Sequence, residues 1–171
     1  MALRIRQAAS GDTASVSAIL TEAADWLVAS GMAMWRGDEL SEARLSRDVA
    51  DGLFFLADID GEPAGTIKFQ PTDDEFWADV PSADSAYVHR LAVRRRFAGG
   101  GVSTALLAWA TDHARSLGRR WLRLDTEASR PALRSLYERF GFRHHSDRQV
   151  GPYFVARYEL DVTARPGSSP R

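Results

Sequence analysis

The chain begins with strict alternation. Leu3 and Ile5 fall on one side, Arg4 and Arg6 on the other, which predicts a strand over residues 3–8. The period then lengthens. Val16, Ile19, Leu20, Ala23 and Leu27 recur at helical spacing, with Ser10 or Asp12 placed to cap the helix and Gly31 to end it. The bulk of Trp26 suits a plug in the core. Leu40, Leu45 and Val49 give a second, shorter helix over residues 39–50 an apolar side. Residues 53–59 and 63–69 read as two strands around Asp60-Gly61, a dipeptide suited to a tight hairpin. Residues 71–85 are polar and acidic, and read as a loop.

The second half repeats strand, turn and helix. Val88, Leu91, Ala92 and Val93 mark a strand over residues 86–93. A basic, glycine-rich turn follows over residues 94–101. Leu106, Leu107, Ala110, Ala114 and Leu117 then mark a helix, with Gly118 as its cap. Residues 120–125 form the next strand, with Trp121, Arg123 and Asp125 on one face and Leu122 and Leu124 on the other. Ser129 or Arg130 caps a helix with Pro131 in its first turn. Leu133, Leu136, Tyr137 and Phe140 line that helix, and Gly141 stops it. Residues 142–149 and 152–160 read as closing strands. Residues 163–171, rich in Ala, Pro, Gly and Ser, read as a disordered tail.

Composition removes several kinds of function. A chain of 171 residues supports one domain with a full core, over residues 1–162. A net charge of -1 gives no reason to expect nucleic acid or an anionic membrane as partner. There is no cysteine, so a disulfide frame, a thiolate metal site and a cysteine nucleophile are all excluded. The start, MALRIRQAAS, lacks the apolar run of a signal peptide, and no run is long enough to cross a bilayer. A cytoplasmic location is the expectation. His113, His144 and His145 read as surface residues, and the adjacent His144-His145 pair is not a metal-ligand spacing, so no metal is expected.

The strand, glycine turn and helix of residues 86–107 form a phosphate cradle in outline. Glycine lets the backbone approach an anion, and the first amides of a helix lack acceptors. Neither G-x-x-x-x-G-K-[ST] nor a G-x-G-x-x-G with a later acid is present. What is present resembles motif A of the GNAT superfamily of acetyl-CoA-dependent N-acyltransferases. Leu91-Ala92-Val93 stand at the strand end. Ala98-Gly99-Gly100-Gly101-Val102-Ser103 form the loop, and Leu106-Leu107 fall on the helix. Ala98 replaces the usual Arg or Gln, and Ser103 the last Gly or Ala. RPALRSLYERFGF resembles motif B, with Tyr137 and Gly141-Phe142 on pattern and Arg130 and Leu133 off it. The two motifs cover about half of the chain.

The resemblance implies a fold and a chemistry. The fold is a single α/β domain with a mixed, largely antiparallel sheet flanked by helices. The co-substrate is acetyl-CoA. Its pyrophosphate would rest on Gly99, Gly100, Gly101, Val102, Ser103 and Thr104, with Ala98 and Arg130 beside the cofactor. Leu91, Ala92 and Val93 would pair with the pantetheine arm. Charge alone makes Arg94, Arg95 and Arg96 candidates for the adenosine phosphates. Tyr137 would donate a proton to the departing thiolate, as a phenol of pKa ~10 can. His89 is the leading base for the amine, because an imidazole of pKa ~6.5 needs little shift to accept a proton. Asp125, Glu127 and water remain alternatives.

Trp35 and Trp77, with Asp38, Asp73, Asp74 and Asp79 nearby in sequence, suggest an aromatic and acidic mouth for a cationic amine. Asp125 joins Trp35 and Trp77 as a substrate-side residue. The expected activity is acetyl transfer from acetyl-CoA to a primary amine of a small molecule, directly within a ternary complex. A protein lysine or N-terminal acetyltransferase, and a non-catalytic acyl-CoA sensor, are the alternatives. A homodimer is left open.

Overall fold

A computed structural model describes residues 2–32, 35 and 37–164. Met34 lies outside them, as do residues 165–171 of the expected tail. The elements in order are β1 (Leu3–Gln7), α1 (Thr13–Ala29), α2 (Glu42–Ala50), β2 (Phe54–Ile59), β3 (Glu62–Gln70), β4 (Ser85–Val93), α3 (Val102–Ser116), β5 (Trp121–Glu127), α4 (Pro131–Phe140), β6 (Arg143–Val150) and β7 (Tyr153–Asp161). The strands form one sheet in the order β1-β2-β3-β4-β5-β7-β6. β1–β2, β2–β3, β5–β7 and β6–β7 pair antiparallel, while β4 and β5 pair parallel through Ser85, Ala86 and Tyr87. The α/β fold with a mixed, largely antiparallel sheet is therefore the one expected. By packing, the chain divides into two compact units, Met1–Phe69 with His89–Trp109 and Gln70–Val88 with Ala110–Arg171.

In the first unit, α1 and α2 bury Val16, Ile19, Leu20, Leu45 and Val49 with Phe54, Leu56 and Ala92 of the strands. Asp60 and Gly61 both take positive φ, 51° and 86°, as the hairpin between β2 and β3 requires. Gly31 takes φ 74°, and the Met32 amide donates to the Leu27 carbonyl, so α1 ends as its glycine predicts. Asp12 departs from expectation. Its carboxylate does not cap α1 but accepts from Arg6, at 2.8 and 3.1 Å, and from the Ala9 amide. Arg6 also donates to Asp58 at 2.6 Å and ties β1 to β2. Trp26 is another correction. It is 40% exposed, because α1 turns its last residues away from the core, and Arg95 lies over its ring.

Gly65 of β3 is where α3 comes close. A Cβ there would lie 3.0 Å from the Ala92 carbonyl oxygen and from Val102 Cγ1, and 3.3 Å from Leu106 Cδ1. The missing side chain lets the first turn of α3 seat on the strands. Trp109, lower on α3, packs its ring 4.1 Å from that of Phe55.

In the second unit, the loop before β4 folds its tryptophan inward. Trp77 is 1% exposed, with Arg123 at 5.0 Å and Arg157 at 4.9 Å from its ring centroid. Arg157 donates to Asp79 at 2.6 and 3.2 Å, and Arg148 donates to the same carboxylate at 2.8 Å. Both arginines also donate to the Phe76 carbonyl. These bonds clamp the loop to β6 and β7. β6 is an edge strand with alternating exposure, and His144 and His145 lie exposed on it as expected. Thr163 bonds to Asp161 through its amide and its hydroxyl, so the ordered chain runs past the expected start of the tail.

Candidate active site

β4 carries His89, Arg90 and Leu91 in succession, all half-buried. Arg90 interrupts the extended backbone with φ 55°. A non-glycine residue held there costs roughly 1–3 kcal/mol, and such strain persists only where surrounding structure imposes it. The end of β4 is fixed to β3, where the Arg94 amide donates to the Ala64 carbonyl at 2.8 Å and Arg94 Nε to the Pro63 carbonyl at 3.0 Å. Ala92 is buried, while Leu91 and Val93 are half-buried.

The glycine turn begins as a 3₁₀ turn at Arg95–Phe97. Two loop amides bond within the turn, Ala98 to Arg95 and Gly100 to Phe97. Gly99 and Gly101 take φ 79° and 83° and have open space where a side chain would stand. The Gly101 carbonyl accepts from the Ala105 amide at 2.9 Å, which starts α3. The amides of Gly101, Val102, Ser103 and Thr104 thus sit where a helix provides no acceptor, at the positive end of the α3 dipole. Val102 is buried and anchors the turn, so the open side is formed by backbone and by Ser103 and Thr104. This suits the pyrophosphate of an acyl-CoA.

The basic run is already engaged. Arg95 stacks 4.0 Å from the Trp26 centroid and its amide donates to Glu22 at 3.0 Å. Arg94 lies 3.9 Å from Glu22, and Arg96 pairs with Glu62. A role with the adenosine phosphates would need these partners exchanged.

On the second unit, Tyr137 projects from α4, 8% exposed, with its ring 6.0 Å from Phe142 and 6.3 Å from Tyr158. Burial raises its pKa, and the negative charge of Asp125 on β5 adds to the rise. The phenol therefore stays protonated at any working pH. Its hydroxyl has no hydrogen-bond partner among the described residues, whereas that of Tyr158 donates to Glu138 at 2.7 Å. A protonated, unengaged phenol is what a proton donor needs.

Several expected site residues lie elsewhere. Trp77 is a core residue with two guanidinium groups against its ring, so it forms no wall of a mouth. Asp79 is held by Arg157 and Arg148, and its pKa falls to about 2, chiefly through the Arg157 hydrogen bond. Asp73 is buried and accepts from the amides of Glu75 and Phe76. Asp79 is thus engaged by two guanidinium groups and is not presented to a cationic acceptor. Arg130, 7% exposed, donates through Nε to Glu127 at 3.0 Å and braces the turn between β5 and α4. Glu127 also accepts from Ser129, which weakens its claim as a base. Trp35 is half-buried, with the Arg90 guanidinium 5.3 Å from its ring centroid.

Two residues escaped the sequence reading. Gly65 is a lone glycine in a strand pattern, a known sign of close backbone approach. Arg90 is one polar residue in a strand, and no periodicity reports its positive φ.

A glycine loop with open amides at a helix start suits an acyl-CoA-dependent transferase, and a buried phenol that stays protonated suits a proton donor. A family model described as the acetyltransferase (GNAT) family matches residues 19–142, and this chain belongs to that family. The uncharacterized N-acetyltransferase YesJ of Bacillus subtilis is 30% identical over 161 residues, covering 90% of this chain and 87% of the relative. A GNAT-family acetyltransferase structure from Listeria monocytogenes aligns with TM-score 0.76 at 23% identity, covering 92% of this chain and 95% of that one. The PaiA N-acetyltransferase of Thermoplasma acidophilum, solved in complex with coenzyme A, aligns with TM-score 0.74 at 18% identity over 94% of this chain and 100% of that one. The protein is an acetyl-CoA-dependent N-acetyltransferase. Among the described residues, no helix is long and apolar enough to cross a membrane.

Proposed function

We propose that the protein moves an acetyl group from acetyl-CoA to the primary amine of a small molecule, directly, within a ternary complex. The observation that carries this reading is Tyr137, buried, protonated and without a hydrogen-bond partner among the described residues. The coenzyme A bound by the Thermoplasma neighbour supports the choice of acyl donor. The chain has no cysteine to carry an acetyl group between two half-reactions.

In this reading the amides of 99 and 101–104 hold the pyrophosphate, the Gly100 amide being bonded to the Phe97 carbonyl, and Leu91, Ala92 and Val93 offer the pantetheine arm a strand edge. His89 accepts the proton that the ammonium must lose, with Asp125, Glu127 or a water as alternatives. The free amine attacks the thioester carbonyl, the C–N bond forms, and the C–S bond breaks. Tyr137 donates its proton to the departing thiolate, and the proton that the new C–N bond leaves on nitrogen is lost to the phenolate, directly or through water, which restores Tyr137.

Coenzyme A release, followed by a thiol reagent over a panel of small amines and peptides, tests the reading. Release above background with small amines is expected. Release with peptides alone would make the protein a protein acetyltransferase. No release with any acceptor would make it an acyl-CoA sensor.

A further inference from the structure

The first unit contains a cavity of about 330 Å³ lined by Glu39, Arg44, Leu45, Asp48, Phe54, Lys68 and Arg90. That is the size of a small-molecule site. Leu45 and Phe54 are buried and give it an apolar floor. Its charged lining has three cations against two acids, and the acids are already matched. Arg90 Nη2 lies 3.3 Å from Glu39 Oε2, and Lys68 Nζ lies 2.9 Å from Asp48 Oδ2. Two cationic groups remain open. Arg90 Nη1 is buried and has no hydrogen-bond partner among the described residues. The Arg44 side chain makes no hydrogen bond or ion pair among the described residues.

A buried guanidinium nitrogen without an acceptor is costly unless something completes it. The strained backbone of Arg90, at φ 55°, fixes where that guanidinium is presented. The Trp35 ring, 5.3 Å away, limits its movement from one side. An anion with two oxygens in a plane matches a guanidinium edge best.

From this we infer that the cavity takes the carboxylate of the acceptor, so that the acceptor is an amino acid or another amine bearing a carboxylate. The inference rests on the reading of the protein as an acetyltransferase of small amines. It replaces the aromatic, acidic mouth that the sequence suggested: Trp77 and Asp79 are engaged in the fold, and the open groups of this cavity are cationic.

The experiment uses matched pairs that differ by one carboxylate: alanine and ethylamine, phenylalanine and phenethylamine, lysine and 1,5-diaminopentane, glutamate and 4-aminobutyrate. Coenzyme A release is measured at saturating acetyl-CoA for wild type, Arg90→Gln and Arg44→Gln. Arg44 is exposed on α2, so its variant keeps the test open should Arg90→Gln fail to fold. In at least one pair the carboxylated member should have the higher kcat/KM. That preference should fall roughly 10- to 100-fold in each variant, the range of a lost hydrogen bond to a charged group.

Turnover of amines with no preference for a carboxylate keeps the acetyltransferase and overturns this inference, as does a preference that survives both substitutions. If no amine turns over, the earlier reading fails. Calorimetry with the same amino acids then decides the cavity, where binding lost in Arg90→Gln or Arg44→Gln supports it and absent or unchanged binding overturns it. Acetate and inorganic phosphate serve as competitors, and phosphate as the stronger one would overturn the carboxylate assignment.

Discussion

Asp125 on β5 lies close enough to Tyr137 on α4 for its charge to oppose ionisation of the phenol, after burial has already done so. The two effects have the same sign, so Tyr137 can lose its proton only at strongly alkaline pH unless the proton is delivered to a base such as a thiolate. Tyr137→Phe removes the donor and little volume. Turnover should fall ~10²–10⁴-fold across the neutral range, as for loss of a general acid. Turnover at the wild-type rate would return Tyr137 to a packing role.

The same shift has a consequence for stability. A phenol whose folded pKa is raised above ~10 leaves stability intact below that pH and subtracts from it as pH rises further. Chemical denaturation at pH 7 and above pH 10 should therefore show a smaller alkaline loss in Tyr137→Phe than in wild type. Equal losses would show that Tyr137 ionises as freely in the folded protein as in the unfolded chain.

His89→Gln should behave differently from Tyr137→Phe. If His89 takes the ammonium proton, the variant loses most activity at low pH, where the amine is protonated, and recovers part of it as pH rises. A turnover profile unchanged in height and shape would move the base to Asp125, Glu127 or a water.

For the glycine loop, Gly101→Trp should abolish acetyl-CoA binding. Gly101 holds φ 83°, which a side chain strains, and the space in front of it is where the anion is proposed to sit. Calorimetry with acetyl-CoA and circular dichroism together make the test. Unchanged affinity in a folded variant would place the pyrophosphate elsewhere.

The clamp on the loop before β4 should be acid-sensitive. The Asp79 pKa is lowered to about 2, so its contribution is present above the ordinary ~3.8 of the unfolded chain and lost as pH falls toward 2. Half of the Asp79 side chain faces solvent, so the effect is modest. Asp79→Asn should flatten the fall in Tm between pH 4 and 2. Trp77→Ala, which empties a core site, should cost ~3–5 kcal/mol at any pH. A Trp77→Ala protein as stable as wild type would reopen the mouth.

Local patterns carried most of the fold. The helices of 13–29 and 102–116 and the Asp60-Gly61 hairpin follow from spacing and turn chemistry, and the glycine cradle falls in the register that the Leu91-Ala92-Val93 strand end required. What escaped depends on partners far apart in sequence. Asp79 reads as a free acid until Arg157, 78 residues later, is placed beside it. Trp77 reads as a mouth residue because nothing nearby announces that Arg123 and Arg157 will enclose it. Arg90 was hidden for a different reason, since a positive φ leaves no mark on side-chain pattern.

Direct acetyl transfer to a small amine is tested by initial rates measured while acetyl-CoA and the best amine are varied together, with the products weighed by mass spectrometry. The predicted result is a set of intersecting reciprocal plots, an amine heavier by one acetyl group, and protein of unchanged mass after incubation with acetyl-CoA alone. Parallel plots together with an acetylated protein that passes its acetyl group to the amine would contradict the account.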